Sequence, residues 1–242
     1  MNREIIVGFV KEHEEICLHR SLSQELKRRS GCSFCYHVNR DSLLLITCLP
    51  EARKTVDVGL ALSPHSKSEP YRPYRAAGFS FFHQKSESES KNIRAVFKEA
   101  FKKGYESVIL MGHGTPNMPP AYLQEAIRAL RRGKEIILGP MINGRFYLIG
   151  MTGLQYATLS HNRLFNELNF NIRKGRDSVI RKIRQSCTGC VVLPEWYAIK
   201  SLDDLQRLRT DSGGGRAWIA RWTTCHVNDI TARPEAETKH NK

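Results

Sequence analysis

Between Leu110 and Pro120 the chain reads LMGHGTPNMPP: a strand end, a glycine-flanked turn and the start of a helix. Its tip presents Gly112, His113, Gly114, Thr115 and Asn117, without an acid. Backbone N–H groups at a helix start, an imidazole and a carboxamide can hydrogen-bond an anion, but they give a hard divalent cation no carboxylate. No Asp or Glu in the motif is placed to orient His113, so the imidazole reads as a turn residue before it reads as a general base.

Two further stretches should share the rim of this turn. In GPMINGRFYLIG (139–150) the Asn143-Gly144 pair makes a turn between two strands, and in LPEWYAIKSLDDL (193–205) a strand gives way to a capped helix. Ligands of open parallel sheets bind beyond the carboxyl ends of the strands, where all three would meet.

Short apolar runs suited to strands buried on both faces occur at 4–10, 56–62, 78–84, 107–112, 135–140, 145–151 and 190–196. Between them, Ile93, Val96, Phe97 and Ala100, then Leu123, Ala126, Ile127 and Leu130, repeat at three and four. Each set gives one apolar helix face. Asn117 is expected to cap the second helix, with Pro119 and Pro120 in its first turn and Gly133 as its stop. Ser201 and Asp204 form a capping-box pair before Leu202, Leu205 and Leu208. The alternation predicts an α/β fold with a mostly parallel central sheet covered on both faces. LSPHSKSEPYRPYR (62–75) and HQKSESESKN (83–92) read as surface loops. After DSGGG (211–215), Trp218, Ile219 and Trp222 form a patch expected to dock on the domain, and the chain from about Asn228 reads as disordered.

With 242 residues the chain can bury a full core, and residues 1–210 read as one domain, followed by a linker and tail over 211–242. Lys and Arg number 38 against 24 acids, a net charge of +14. That charge favours anionic partners: nucleotide phosphates, nucleic acid or acidic surfaces. RKGRDSVIRKIRQ (173–185) carries Arg and Lys around a helix, with Tyr156 and Phe170 upstream, but no finger, stacking motif or helix-turn-helix accompanies it, so a solvated helix face is the plainer reading. The sequence holds no run of some 18 apolar residues and no export signal, and it reads as cytoplasmic with reduced thiols. The pairs Cys32/Cys35 and Cys187/Cys190 lie some 150 residues apart, too far for a ribbon or finger, and neither is expected to open a helix directly after a strand as a redox pair would.

Residues 98–150 closely resemble a bacterial glycosyltransferase-like family labelled selenodomain-associated or arsenosugar-biosynthesis transferase. LPEW followed by SLDDL extends the likeness to about Arg209, and IIVGFVK (5–11) fits the family's first strand. The resemblance implies the GT-A nucleotide-diphospho-sugar transferase fold, a three-layer α/β/α sandwich, with a nucleotide sugar as ligand. Its acidic motifs are replaced here. Where the family has G-S-D-x-P-D, this chain has Gly112, His113, Gly114, Thr115, Pro116 and Asn117, so the metal-facing acid is Gly114. An acid and two glycines become Asn143, Gly144 and Arg145, and D-V-D-T becomes Ala198, Ile199, Lys200 and Ser201. Lys11 keeps the start of the family's basic loop, and His19 and Arg20 fall near the place of its Lys-Thr-Arg.

On this resemblance no Mg²⁺ or Mn²⁺ is expected. A metal-independent glycosyl transfer would use Arg145 and Lys200 to stabilise the diphosphate. His113 or Asn117 would orient the sugar, His19 or Arg20 would contact phosphate, and Lys11, Gly112, Gly114 and Asn143 would line the nucleotide site. The alternatives are an inactive nucleotide- or phosphate-binding remnant, and a module for nucleic acid or another acidic partner.

Overall fold

The computed structural model describes residues 3–10, 32–51, 54–63, 69–142, 144–161, 165, 176–187, 189–213 and 220–225. Seven strands form one sheet in the order β3-β2-β1-β4-β6-β5-β7. They are β1 (Glu4–Val10), β2 (Val56–Leu62), β3 (Ser80–His83), β4 (Ser107–Met111), β5 (Ile136–Pro140), β6 (Phe146–Thr152) and β7 (Cys190–Val192). All neighbouring pairs are parallel except the two made by β6, which runs against β4 and β5. The carboxyl ends of the other six strands and the amino end of β6 therefore share one edge, the rim anticipated from the three sequence stretches.

The apolar runs are strands because both of their faces are covered. Ile5, Val7 and Phe9 of β1 face one core cluster, and Ile6 and Val10 face the other. The first cluster is closed by α3 (Glu89–Lys102), α5 (Gly153–Leu159) and α6 (Arg176–Ser186). The second is closed by α1 (Cys32–Thr47) and α4 (Pro120–Arg131). The residues chosen by helical period, Ile93, Val96, Phe97 and Ala100 on α3 and Leu123, Ala126, Ile127 and Leu130 on α4, are all buried. Each large one contributes about 1.5–3 kcal/mol by leaving water. The result is the α/β/α sandwich that the sequence predicts.

Several local expectations need correction. Asn117 does not cap α4. The N-cap is Pro119, with no side-chain cap, because the Asn117 side chain is used elsewhere. The 62–75 stretch is more than a loop: Leu62 ends β2, Glu69–Tyr71 is a 3₁₀ turn and Arg72–Ala76 is the short helix α2, with Pro73 in its first turn and Tyr71 buried. The 83–92 stretch is not surface throughout. Gln84, Glu89 and Asn92 are buried, α3 begins at Glu89, and the Asn92 carboxamide accepts from the Lys85 and Ser86 amides. The run at 190–196 stops as a strand at Val192 and returns only as a bridge between Trp196 and Met141.

Helix α1, which includes Cys32 and Cys35, is absent from the sequence reading. Its apolar spacing (Phe34, Val38, Leu45, Leu49) is blurred by buried Asn39, Asp41 and Ser42. Asp41 is buried for a reason: its carboxylate accepts from the amides of Trp222 and Thr223 and from the Thr223 hydroxyl. The helical turn at 221–225 is thereby held on α1, where Trp222 also lies against Arg40, 3.7 Å from ring centroid to guanidinium carbon. Trp222 thus docks as expected, while Trp218, Ile219, Phe170 and the chain from Asn228 lie outside the described residues.

The capping box forms as read. The Ser201 amide donates to Asp204 Oδ2 and the Asp204 amide to Ser201 Oγ, opening α7 (Leu202–Gly213). Leu205 and Leu208 are buried, but Leu202 is exposed. Among the described residues no helix is long and apolar enough to cross a membrane.

Candidate functional site

The rim is assembled by backbone hydrogen bonds among the three stretches. The Gly112 amide, leaving β4, donates to the Tyr147 carbonyl at 2.8 Å. At the β5–β6 turn Met141 N donates to the Arg145 carbonyl, and Ile142 N to the Trp196 carbonyl. The chain after β7 closes the ring, since Ile199 N donates to the Gly114 carbonyl at 2.9 Å.

That last bond brings together positions 84 residues apart in sequence, Gly114 and Ala198. Gly114 has φ +89°, and a Cβ built on it would lie 3.6 Å from the Ala198 Cβ. These are two of the places where the resembling family carries acids. Here they are a glycine and an alanine, with room between them only for ordinary van der Waals contact were a methyl added at position 114. Among the described residues no group of three or more His, Cys, Asp or Glu side chains is placed to hold a metal ion.

Asn117 is fully buried, at 0% exposure. Its Nδ2 donates to the Tyr197 hydroxyl at 2.5 Å, and its Oδ1 accepts from Trp196 Nε1 at 3.4 Å. Burial first, then a hydrogen bond to Asp211, raise the Tyr197 phenol above its ordinary range, while the Asn117 donor opposes that shift. The Tyr197 oxygen thus accepts from Asn117, with Asp211 acting on the same phenol. Arg207 covers the Tyr197 ring at 4.1 Å. Behind this pair, Tyr122 stacks on Tyr147 and meets Trp196 edge-on, and the Tyr147 hydroxyl donates to the Pro194 carbonyl. Burial, followed by Tyr122, raises the Tyr147 phenol as well.

The other sequence-predicted residues fall as follows. His113 is buried at 7% exposure and Arg145 at 5%, both in the rim. Lys200 is half-buried two residues beyond Ala198, and its amide donates to Asp204 Oδ2. Lys11, His19, Arg20 and Asn143 lie outside the described residues. Sequence reasoning missed Gln84, whose Nε2 donates to the carbonyls of both Val10 and Ala61 and so ties β1 to β2 near their carboxyl ends. It also missed Asp211, Tyr122, Tyr147 and Tyr197. Trp196-Tyr197 beside a strand end was the available signal, but aromatic residues scattered over three segments have no period to betray them.

Cys187 and Cys190 are free and half-buried at the entry to β7. Burial raises both thiols, Cys190 to about 11. The thiolate is the reactive form, so at pH 8 iodoacetamide should label exposed Cys48 and Cys225 well before Cys190, as read by peptide mass spectrometry.

Residues 49–171, just over half of the chain, match the family described as "Uncharacterized protein conserved in bacteria (DUF2064)". The chain belongs to DUF2064. No curated protein matches it. Among solved structures this DUF2064 member is similar to a protein from Desulfovibrio desulfuricans assigned as a nucleotide-diphospho-sugar transferase, with 20% identity and a TM-score of 0.72 over 96% of this chain and 98% of that one. It is also similar to a cytidylyltransferase from Leptospira borgpetersenii, with 10% identity and a TM-score of 0.53 over 96% of each chain. A 4-diphosphocytidyl-2C-methyl-D-erythritol synthase gives the same identity and TM-score over 87% of this chain and 98% of the other. The likeness is one of fold: DUF2064 in this chain adopts the nucleotide-diphospho-sugar transferase architecture. Activity has to be argued from the site.

Proposed function

We propose that the protein binds a nucleotide or nucleotide sugar at the carboxyl rim of its sheet without a divalent cation. The juxtaposition of Gly114 and Ala198, held by the bond from Ile199 N to the Gly114 carbonyl, carries this reading. Magnesium and manganese take oxygen ligands, usually one or two carboxylates shared with phosphate. A hydrogen atom, a methyl group and an Asn117 carboxamide already engaged by Tyr197 and Trp196 do not fit such an ion. The scaffold argues for a retained ligand, because the three stretches of the rim are joined by hydrogen bonds and its strand ends are all built.

Glycosyl transfer from that ligand is the second reading, and the half-buried Lys200 beside Ala198 favours it. A fixed cation about 4 Å from a diphosphate oxygen contributes a few kcal/mol at an effective dielectric near 20. Arg145, buried at the same rim, would add to that field.

The test is a thermal-shift series with nucleoside diphosphates and nucleotide sugars, each with Mg²⁺, with Mn²⁺ and with EDTA. At a hundred times Kd a ligand adds about 2.7 kcal/mol, which raises Tm by roughly 5–10 °C in a chain of this size. The expected shift is equal in all three conditions. A shift that EDTA removes, or no shift with any nucleotide, overturns the reading. If Lys200→Ala keeps the shift but loses release of nucleoside diphosphate, transfer is supported. If the variant releases diphosphate as fast as the parent, Lys200 has no part in it.

A further inference from the structure

A groove of about 860 Å³ runs between α6 and the chain leaving β7; Pro140 and residues 193–195 belong to the rim stretches, but no residue of the 110–120 turn lines it. One wall is a helix face carrying Arg176, Arg181 and Arg184. The opposite wall is apolar: Val192, Leu193 and Pro194. The groove also contains two acids, Asp177 and Glu195.

The three guanidiniums are not equivalent. Arg176 is engaged on every side. It pairs with Glu195 at 2.5 Å, donates to Asp177 at 3.0 Å and to the Met141 carbonyl at 2.8 Å, and its side chain is only 18% exposed. It fastens the helix to the β5–β6 turn and to the 193–195 segment, and it occupies both acids. Arg181 and Arg184, three residues apart and so on one helix face, have no carboxylate partner among the described residues. Arg184 lies against the Cys190 thiol.

A basic helix face open to water is common and binds nothing in particular. Here two unneutralised guanidiniums stand in a concavity with an apolar wall, which weakens solvent screening and focuses their field. The volume is that of small-ligand sites. Guanidinium forks match phosphate geometry, and a phosphate dianion balances two of them where a carboxylate leaves one charge over.

We propose that this groove binds a phosphorylated small molecule, with its phosphate on Arg181 and Arg184 and its apolar body along Val192–Pro194. The proposal stands independently of what the crevice binds. Modification of the full-length protein by phenylglyoxal, read arginine by arginine by mass spectrometry, tests it at matched ionic strength with phenyl phosphate, inorganic phosphate and benzoate. Phenyl phosphate is expected to slow modification of Arg181 and Arg184 severalfold, more than inorganic phosphate does, and to leave exposed Arg128 of α4 and Arg132 at its C-cap unchanged. Equal protection by benzoate, equal protection of Arg128 and Arg132, or no protection by phenyl phosphate overturns the proposal. The double variant Arg181→Ala/Arg184→Ala should keep the parent Tm and its response to nucleotides while losing stabilisation by phenyl phosphate. Retained stabilisation would also overturn it.

Discussion

Asn117→Asp should destabilise the protein by about 3 kcal/mol at neutral pH, even though the resembling family carries an acid at this position. The reason lies in the hydrogen-bond accounting of Tyr197. Its oxygen accepts from the carboxamide at position 117, while Asp211, which raises the phenol, draws the hydroxyl proton the other way. A carboxylate there would still accept from Trp196, but it would face the Tyr197 lone pair without a proton to offer. It would also be fully buried. Burial and the nearby Asp211 would hold the new carboxyl above the usual carboxylate range in the folded state. The penalty is therefore absent below the unfolded carboxyl pKa of about 3.9 and grows as pH rises through the folded value. Chemical denaturation at about pH 4 and pH 7 checks the sign: the deficit against the parent should be larger at the higher pH. A variant as stable as the parent at pH 7 would show that Asn117 is not tied to Tyr197.

Gly139→Ala should cost about 3 kcal/mol or more, the upper range for forcing atoms into a filled core. A Cβ at Gly139 would lie 2.4 Å from Tyr147 Cε2 and 2.5 Å from Cζ. The ring cannot retreat, because it is fully buried, stacked on Tyr122 and anchored through its hydroxyl to the Pro194 carbonyl. Moving it would disturb the aromatic backing of the site as well as the core, so any nucleotide-induced stabilisation should fall with Tm. Gly78→Ala is the control. Gly78 has φ +87°, but a Cβ there meets nothing within 4 Å, so the cost should be about 1 kcal/mol from backbone strain alone. Thermal melts that rank Gly78→Ala as the worse variant would overturn the account of Tyr147.

Both predictions concern residues whose importance the linear chain conceals. Gly139-Pro140 reads only as a strand end. In the sheet it is where the β5–β6 register shifts, pairing Gly139 with Leu148 and Pro140 with Phe146. Tyr147 becomes the extra residue of a bulge and joins Leu148 on the same face. Period-2 reading cannot foresee this, because a bulge interrupts the period on which such reading depends. Asn117 has a similar history. Asn before two prolines has the local chemistry of a helix cap, but bonds to an indole and a phenol hold this buried carboxamide instead, and Pro119 takes the N-cap.

Read alone, the chain determined what repeats: strands covered on both faces, the two helices α3 and α4 with their buried stripes, the capping box at Ser201, and the absence of acids from the family's motifs. Those properties are local, written in the spacing and type of neighbouring residues, and each element carries its own evidence. Only the tertiary structure decided that Gly114 meets Ala198, that Asn117 is shared by Trp196 and Tyr197, and that Asp41 holds the turn at 221–225. Such contacts join residues about 80 to 180 positions apart through directional bonds and close packing, and no sequence period encodes them.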